Sequence, residues 1–304
     1  MRAALALAIA LAPAAAHAVD LPLKLRDGAT WTQTSVHTRT DVREGATRAS
    51  KATSVIRATW RKDGDKGALR LDFVSFDVEG AEAAAREGLT EKAKLIYPAV
   101  LEVDGELTPV RVRDWDKMRE TIFKALASTL PDARALDAAK AMFAGMDDVE
   151  AASLFKEQGL IALGQGSGLE PGKPAPYDSE IPNILGGPPI KASGAFRLES
   201  VDKAKNTAVL TWAQKPDPAS LAVSLKGSME AIIARVAPEK QAEAKTQFAK
   251  LTLERQEGCR YDIDMTTGLA ATTDCTVEIL AGLPPQTGRR TERWVITQSV
   301  PEPR

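Results

Sequence analysis

The sequence has few of the residues from which catalytic and metal sites are usually built, with 2 His and 2 Cys among 304 residues. His17 lies in an N-terminal segment that we expect to be removed, which leaves His37 as the only imidazole. Zinc sites made of His and Cys need three or four such ligands, and a catalytic triad or dyad would have to use His37. We therefore predict no metal and no cofactor, and we assign no catalytic residue.

The chain also lacks an excess of one charge, because 40 Lys and Arg are balanced by 41 Asp and Glu, a formal charge of −1. A long electrostatic stripe that engages nucleic acid or an anionic bilayer is not expected from these totals. Aromatic residues make up only 5% of the chain, which argues against a stacking platform for single strands. We predict no nucleic-acid partner.

Long apolar runs are missing as well, and the short one at the N-terminus has a specific meaning. Arg2 is followed by apolar residues 3–12, by Pro13, and then by Ala16-His17-Ala18. A membrane-spanning helix needs about 20 apolar residues, whereas a positive start, a short apolar stretch and an A-x-A site are typical of a secretory signal. We predict a signal peptide over residues 1–18, cleaved after Ala18, and hence a periplasmic or secreted protein without a transmembrane segment after cleavage.

The rest of the chain is rich in alternating apolar and polar residues between Gly and Asp turns, the pattern of β-strands. Asp104-Gly105 gives the strongest hairpin signal in the chain. We predict strands over 29–42, 47–61, 68–78, 94–103, 106–112, 190–201, 207–215, 251–265, 269–280 and 290–300. Because the turns between neighbouring strands are short, we expect the sheet to be mainly antiparallel.

Two groups of helices interrupt the strands. The first group begins with a helix after Asp114, which has an apolar stripe at steps of three and four residues. A second helix of this group continues through Met142. A third covers residues 148–158, and we expect it to stop at Gly159. The second group contains an amphipathic helix and, after Pro238, a charged helix. The amphipathic helix is marked by Leu221, Leu225, Met229, Ile232, Ile233 and Val236.

These elements predict an α+β protein with a large curved, mainly antiparallel sheet of about ten strands, either an open curved sheet or a half-barrel, with two helical clusters packed on one face. In shape alone, such an arrangement resembles the architecture of bacterial periplasmic lipoprotein carriers. Residues 164–189 are rich in Gly and Pro, and we interpret them as a long covering loop or a hinge. We expect the segments on either side, 19–163 and 190–304, to form one globular unit.

The most specific local prediction is a disulfide between Cys259 and Cys275. A three-residue loop, Thr266-Thr267-Gly268, pairs Met265 with Leu269, and counting back along both strands places the two cysteines opposite each other. Facing residues of this kind have Cβ atoms close enough for a disulfide, which an oxidising compartment would preserve. On the chain-entropy model, a loop of this length contributes about 3 kcal/mol to stability.

Two matches to catalytic motifs occur in unsuitable contexts. Asp262, Asp264 and Thr266 spell D-x-D-x-T, which resembles the nucleophile motif of haloacid-dehalogenase-type phosphatases, but the motif runs into a hairpin and no alternating strand–helix fold follows. A calcium site using both Asp residues is conceivable; solvated turn charges are the simpler interpretation. Ser200 and Lys203 match S-x-x-K, but on a predicted hairpin and without the companion K-T-G motif.

Three functional hypotheses remain from the sequence. The first is a non-enzymatic exported protein of the bacterial envelope that binds a lipid, another amphipathic small molecule or an envelope protein within the curved sheet. The second is a carboxylate-based hydrolase acting on envelope sugars, because a glycosidase needs only two carboxylates at the right separation. The third is an assembly scaffold whose Gly/Pro-rich loop recognises another protein. Four Trp residues on predicted strands either line a groove or fill the core: Trp31, Trp60, Trp212 and Trp294.

Overall fold

The computed structural model describes residues 18–64, 66–129, 132–181, 189–233, 241–248, 250–283 and 286–299. The strands are β1 Val19–Leu21, β2 Thr30–Arg43, β3 Ala46–Asp63, β4 Lys66–Val78, β5 Ala99–Val103, β6 Pro109–Val112, β7 Gly166–Leu169, β8 Pro174–Ile181, β9 Ile190–Asp202, β10 Thr207–Pro216, β11 Thr252–Asp264, β12 Ala270–Leu283 and β13 Gln286–Gln298. The helices are α1 Ala83–Lys94, α2 Trp115–Thr129, α3 Ala133–Ala144, α4 Lys156–Ala162, α5 Pro218–Ile233 and α6 Gln241–Phe248, with a 3-10 helix at Glu150–Leu154.

Eleven strands form one antiparallel sheet in the order β6-β5-β4-β3-β2-β13-β12-β11-β10-β9-β8. Each strand pairs with its neighbour in sequence, except where β2 pairs with β13 along their length, from Gln33 opposite Gln298 to Arg43 opposite Gly288. This pairing joins the first and last long strands of the chain. The sheet is not closed, and β6 and β8 are its edges. The predicted α+β class with a large antiparallel sheet is confirmed.

The predicted loop over residues 164–189 is wrong in its described part. β7 pairs with β1, and β8 is the eleventh strand of the main sheet, paired with β9 from Pro174 opposite Arg197 to Ile181 opposite Ile190. Proline is tolerated on an edge strand because the side that faces solvent needs no N–H donor. β8 therefore keeps Pro174 and Pro176 although both favour a loop in a sequence-based prediction. Residues 182–188 lie outside the described part.

Two boundaries of predicted elements also differ. Gly159 does not end a helix; it lies inside α4, which begins after Phe155 and continues through buried Leu160 and Ile161. Burial of the apolar residues beyond Gly159 outweighs the weak helix propensity of one glycine. The strand predicted over 94–103 begins only at Ala99, because α1 runs to Lys94 and Pro98, which has no N–H, precedes β5.

The core consists of two clusters of buried side chains on one face of the sheet, which we call the inner face. The first cluster lies over β3, β4 and β5 and includes Trp31, Trp60 and Trp115. The second lies over β10 to β13 and includes Trp212, Tyr261 and Trp294. Residues of the 3-10 helix and α4 pack into these clusters and cover part of the inner face. The predicted strand tryptophans therefore belong to the core.

Candidate functional site

The inner face changes from apolar to charged along the strands. Because side chains alternate between the two faces, the pairing of the strands places inner-face residues in rows across the sheet. One row contains the partly buried His37 and the core residues Trp294, Cys275, Cys259 and Trp212. The next two rows contain Arg39, Glu292, Val277, Glu257 and Gln214, and then Asp41, Arg290, Ile279 and Arg255. We call the charged residues of these two rows, together with His37 and Lys156, the polar band.

Trp294 connects the polar band to the core. The imidazole of His37 stacks on its indole, with ring centroids 4.5 Å apart and 8° between the planes. The Lys156 ammonium lies 3.8 Å from the same ring centroid, a cation–π contact. Lys156 is the first residue of α4, so the packing of this helix against the sheet brings the ammonium to the ring.

His37 is neutral at pH 7 because burial lowers its pKa below the ordinary 6.5, against the opposing effect of Glu292. Its Nε2 lies 3.6 Å from a Glu292 carboxylate oxygen, beyond hydrogen-bond distance. The pair is therefore a weak electrostatic contact at neutral pH. Both cysteines are in a disulfide, and the hydroxyl of Ser35, the neighbour of His37 on this face of β2, donates to Glu157.

Two carboxylates and one guanidinium act on Lys156. Loss of hydration is the main cause that lowers the pKa of Lys156, although the residue as a whole is exposed. The carboxylates of Glu292 and Glu257 oppose this decrease, and the guanidinium of Arg255 adds to it. Arg255 is itself paired with Glu257, with 3.0 Å between its Nη2 and the carboxylate. The ammonium, which lies over Trp294 of β13, therefore has a pKa that responds to charged side chains of both β11 and β13.

Asp41 is the acceptor of two guanidinium groups at the outer end of the band. Arg39 Nε donates to it at 2.7 Å and Arg290 Nε at 2.8 Å. The hydrogen bonds from Arg39 and Arg290 lower the pKa of Asp41 to about 2. One carboxylate therefore holds two cations across β2 and β13, which leaves a positive charge unbalanced within this group of three.

Glu157 lies on the side of the polar band that faces the core. It accepts hydrogen bonds from Ser35 Oγ at 2.8 Å and from Gln33 Nε2 at 3.3 Å. Burial raises the pKa of Glu157, and these two donors oppose the increase. Ser35 and Gln33 are thus the hydrogen-bond partners that the structure gives to this buried carboxylate.

Several buried polar atoms near the band have no hydrogen-bond partner: His37 Nε2, Arg255 Nε and the Tyr261 hydroxyl. Tyr261 is completely buried. Tyr177 and Glu257 both contribute to the raised pKa of Tyr261, after burial as the main cause. Tyr261 lies on β11 one row beyond Cys259, within the second core cluster. Tyr177 has partners of its own, since it receives a hydrogen bond from Trp212 Nε1 at 2.6 Å and contacts Gln214 Oε1 at 2.7 Å.

A groove between α5 and the start of β11 adjoins the band. It has a volume of about 690 Å³ and an apolar lining from Leu221, Leu225, Met229, Ile233, Leu251 and Leu253. A second groove of about 440 Å³ shares Leu221 and Leu253 with it and is also lined by Arg255, Ile279 and Arg289. The apolar groove therefore leads to a charged region, because Glu254 and Glu278 line the second groove together with Lys215, Arg255 and Arg289.

The remaining predicted sites have structural explanations. Cys259 lies opposite Cys275 in the pairing of β11 with β12, and the two are bonded, as predicted. Asp264 accepts a hydrogen bond from the Thr266 amide at 2.6 Å, and Asp262 lies 3.3 Å from Arg260; both therefore serve the turn and the surface. Ser200 lies in β9 opposite Val209. The described residues contain no group of three or more His, Cys, Asp or Glu side chains that could hold a metal ion.

Sequence reasoning named His37 and Trp294 but missed Lys156, Arg255 and Glu292 as members of one site. Each lies on a different element, and each has the charge of an ordinary surface residue. A signal was present in β11 and β13, where charged residues occupy every second position just beyond buried aromatic ones. Only the pairing of β2 with β13 and the position of α4 indicate that these charges meet.

Comparisons with known proteins identify no family. No protein-family model matches the chain, and no curated protein matches it. Among solved structures, DynF from the dynemicin biosynthesis pathway of Micromonospora chersina aligns with 8% identity, a TM-score of 0.20, and coverage of 100% of this chain and 94% of that chain. The translocator domain of the autotransporter NalP from Neisseria meningitidis aligns with 8% identity, a TM-score of 0.14, and coverage of 90% of each chain. We draw no conclusion on fold or function from these alignments. Among the described helices, none has the length and apolar character needed to cross a membrane.

Proposed function

We propose that this protein is an exported, non-enzymatic binding protein that holds an amphipathic small molecule in the groove between α5 and the start of β11. The observation that carries the proposal is the apolar groove of about 690 Å³ and its junction with the charged second groove. Small-molecule sites are concave, mostly apolar cavities of about 300–1,000 Å³ with a few polar groups. A groove with an apolar part and a charged end suits a ligand that has both.

The amphipathic pattern of α5 supports this location. Leu225 and Met229 lie one turn apart, line the groove and are half-buried, whereas Val223 on the same helix is 63% exposed. An apolar stripe that faced a filled core would be fully buried. The stripe of α5 instead leaves apolar surface that a ligand can cover.

Export is proposed from two features of the chain. The N-terminal residues 1–18 have the pattern of a signal peptide, although they lie outside the described residues apart from Ala18. The bond between Cys259 and Cys275 persists in oxidising compartments. The periplasm of a bacterium is the compartment that agrees with both.

The proposal is tested by purifying the full chain from the periplasm and extracting it with organic solvent. We expect mass spectrometry to detect an apolar molecule in stoichiometric amount, and we expect the extracted protein to bind the neutral fluorescent probe N-phenyl-1-naphthylamine. Leu225→Asp should weaken the binding of the probe about tenfold or more, because it places a charge in the apolar groove.

Val223→Asp is the matched control, since it makes the same change on the exposed side of α5. It should leave binding within about twofold of the original protein, as expected for a surface substitution. The proposal is wrong if no apolar molecule is extracted and no probe binds, or if the two variants bind the probe equally well.

A further inference from the structure

We propose that the first residues of β11 form a docking edge for an extended peptide segment, which adds to the strand as a further antiparallel neighbour. The docking edge is the backbone of Leu253 and Arg255, at the point where β10 and β11 separate. This inference goes beyond the proposed function, because it concerns a polypeptide partner and not the small molecule beside α5. It rests on the register of three strands, on Pro216 and on the groove between β10 and β11.

β11 is paired on one side over nearly its whole length and on the other side over only part of it. Its pairing with β12 begins at Thr252 opposite Gly282. Its pairing with β10 extends only to Glu257 opposite Gln214. In the described part of the chain, the residues of β11 before Glu257 therefore have a strand neighbour on one side alone. The eleven-stranded sheet is split at this point.

The pairing of the two cysteines identifies which backbone groups face the split. Cys259 and Cys275 lie opposite each other with 4.0 Å between their Cα atoms, the short separation of an antiparallel pair that exchanges no hydrogen bonds. The N–H and C=O groups of Cys259 therefore point to β10. Because the register is regular from Cys259 back to Leu253, those of Arg255 and Leu253 point the same way. No backbone hydrogen bond between described residues reaches them from outside the strands.

Pro216 explains why the pairing of β10 with β11 stops. Trp212 and Gln214 lie opposite residues of β11, and alternation along the strand directs the backbone of Pro216 to the same side. Proline has no N–H to donate at this next position of the ladder. After Pro216 the chain leaves the sheet and enters α5, which begins at Pro218. The sequence of β10 thus ends the ladder before it reaches the docking edge.

The space beside the docking edge is an open groove between the two strands. It has a volume of about 440 Å³ and is lined by Lys215 and Pro216 of β10 and by residues 253–256 of β11. It joins the apolar groove beside α5 through Leu221 and Leu253. In a paired strand, residues that lie opposite each other direct their side chains to the same face. A peptide residue opposite Leu253 would therefore place its side chain near Leu221.

The chemistry of the docking edge fits an extended main chain. Leu253 and Arg255 each present one N–H donor and one C=O acceptor to the split, at a spacing of about 7 Å for alternate residues of a strand. An added strand repeats donors and acceptors at this spacing, and exposed edges bind peptides in this way. The apolar lining beside Leu253 favours an apolar side chain opposite it. The partner is therefore a segment that alternates apolar and polar residues.

Amide hydrogen exchange, followed by NMR on the oxidised protein, tests whether the edge is free. The amides of Leu253 and Arg255 should exchange about tenfold or more faster than those of Glu254 and Gln256, because alternation directs the latter two to β12. Equal protection of all four amides would show that the edge is already covered, and it would overturn the proposal.

The peptide for the binding test has about eight residues, alternates valine and threonine, and carries a lysine at each end for solubility. At concentrations up to about 1 mM, it should slow exchange of the Leu253 and Arg255 amides about tenfold or more, because both become hydrogen-bonded. No protection of these two amides at the highest concentration would overturn the docking edge. If N-phenyl-1-naphthylamine still binds in that case, the proposed function stands.

Two methylated forms of the peptide are the matched controls. Valines that direct their side chains to Leu221 direct their amides to β11, so methylation of the valine nitrogens should abolish binding. The threonine amides point away from β11, and their methylation should leave the affinity within about threefold. Equal effects of the two modifications, or the reverse order, would contradict binding by strand addition.

Arg255→Pro tests the same edge from the side of the protein. It removes one N–H that faces the split, a position at which strands tolerate proline, and it should weaken binding of the peptide about tenfold or more. Arg255→Gln keeps the N–H and should weaken binding less than about threefold. Equal affinities of the two variants would overturn the proposal. If urea unfolding shows that Arg255→Pro does not fold, the two methylated peptides decide.

Discussion

The indole of Trp60 occupies the space directly over Gly67, where a Cβ would overlap the ring. Trp60 is a buried core residue of β3, and Gly67 lies on the neighbouring strand β4. We expect Gly67→Ala to destabilise the protein by about 1–3 kcal/mol, because the ring would have to leave its place in a packed core. Urea unfolding measures this loss.

Gly105→Ala is the control for this substitution. A Cβ at Gly105 meets no atom within 4 Å, and the residue does not have the positive φ that favours glycine. The free energy of unfolding of Gly105→Ala should remain within about 0.5 kcal/mol of that of the original protein. Equal unfolding free energies for the two variants would contradict the packing of Trp60 against Gly67.

Loss of the disulfide should lower the free energy of unfolding by about 3 kcal/mol on the chain-entropy model. The comparison is between the oxidised protein and the double variant Cys259→Ala, Cys275→Ala, both measured by thermal and urea unfolding. Reductant should destabilise the original protein and leave the double variant unaffected. A reductant effect on the double variant would show that the measured change does not come from this bond.

Tyr261→Phe should not destabilise the unliganded protein, because the hydroxyl that it removes is buried without a partner. Tyr177→Phe provides the contrast, since it removes contacts with Trp212 Nε1 and Gln214 Oε1. We expect this second variant to lose about 1–3 kcal/mol because both partners would be left unsatisfied. A large loss for Tyr261→Phe in the ligand-free protein would mean that its hydroxyl has a partner within the fold.

The contribution of Asp41 to stability should depend on acid pH. Its pKa in the folded protein is lowered from 3.8 to about 2 by Arg39 and Arg290. A lowered pKa means that the carboxylate stabilises the fold above its unfolded pKa and that this contribution is lost as the pH falls from about 4 to about 2. The stability difference between the original protein and Asp41→Asn should therefore be constant from pH 7 to pH 5 and decrease below pH 4.

Asp178→Asn serves as the control because Asp178 is exposed on the edge strand β8. This variant should differ little from the original protein over the same range of pH. If the difference for Asp41→Asn did not change below pH 4, the two arginine hydrogen bonds would not be stabilising the carboxylate.

Glu157 should show the opposite dependence. Burial raises its pKa above the ordinary 4.5, so the folded state binds a proton that the unfolded state has already released. The stability of the original protein relative to Glu157→Gln should therefore fall as the pH rises above 4.5 and level off beyond the folded pKa. A relative stability that instead rises with pH over this range, measured by urea unfolding, would contradict a buried carboxylate at this position.

The hairpins and the disulfide were predictable because both depend on contacts close in sequence. Asp104-Gly105 and the turn before Leu269 specify which strands are joined, and the alternation of apolar residues specifies their register. The turn pairs Asp264 with Leu269, so the predicted pairing of Met265 with Leu269 is wrong, and a register shift at Asp262/Ile263 restores the predicted position of Cys259 opposite Cys275. β8 was not predictable in this way, because Pro174 and Pro176 favour a loop unless the strand is known to lie at an edge.

The sequence by itself determined the antiparallel strands, the cross-linked cysteines and the scarcity of imidazole and thiol groups, since these follow from local alternation and from composition. Only the tertiary structure decided that β2 lies beside β13, that α4 delivers Lys156 to Trp294, and that Arg255 ends an apolar groove. The physical reason is that charged side chains far apart in sequence carry no signal of their partners. They meet only because burial of the apolar residues beside them selects one arrangement of the sheet.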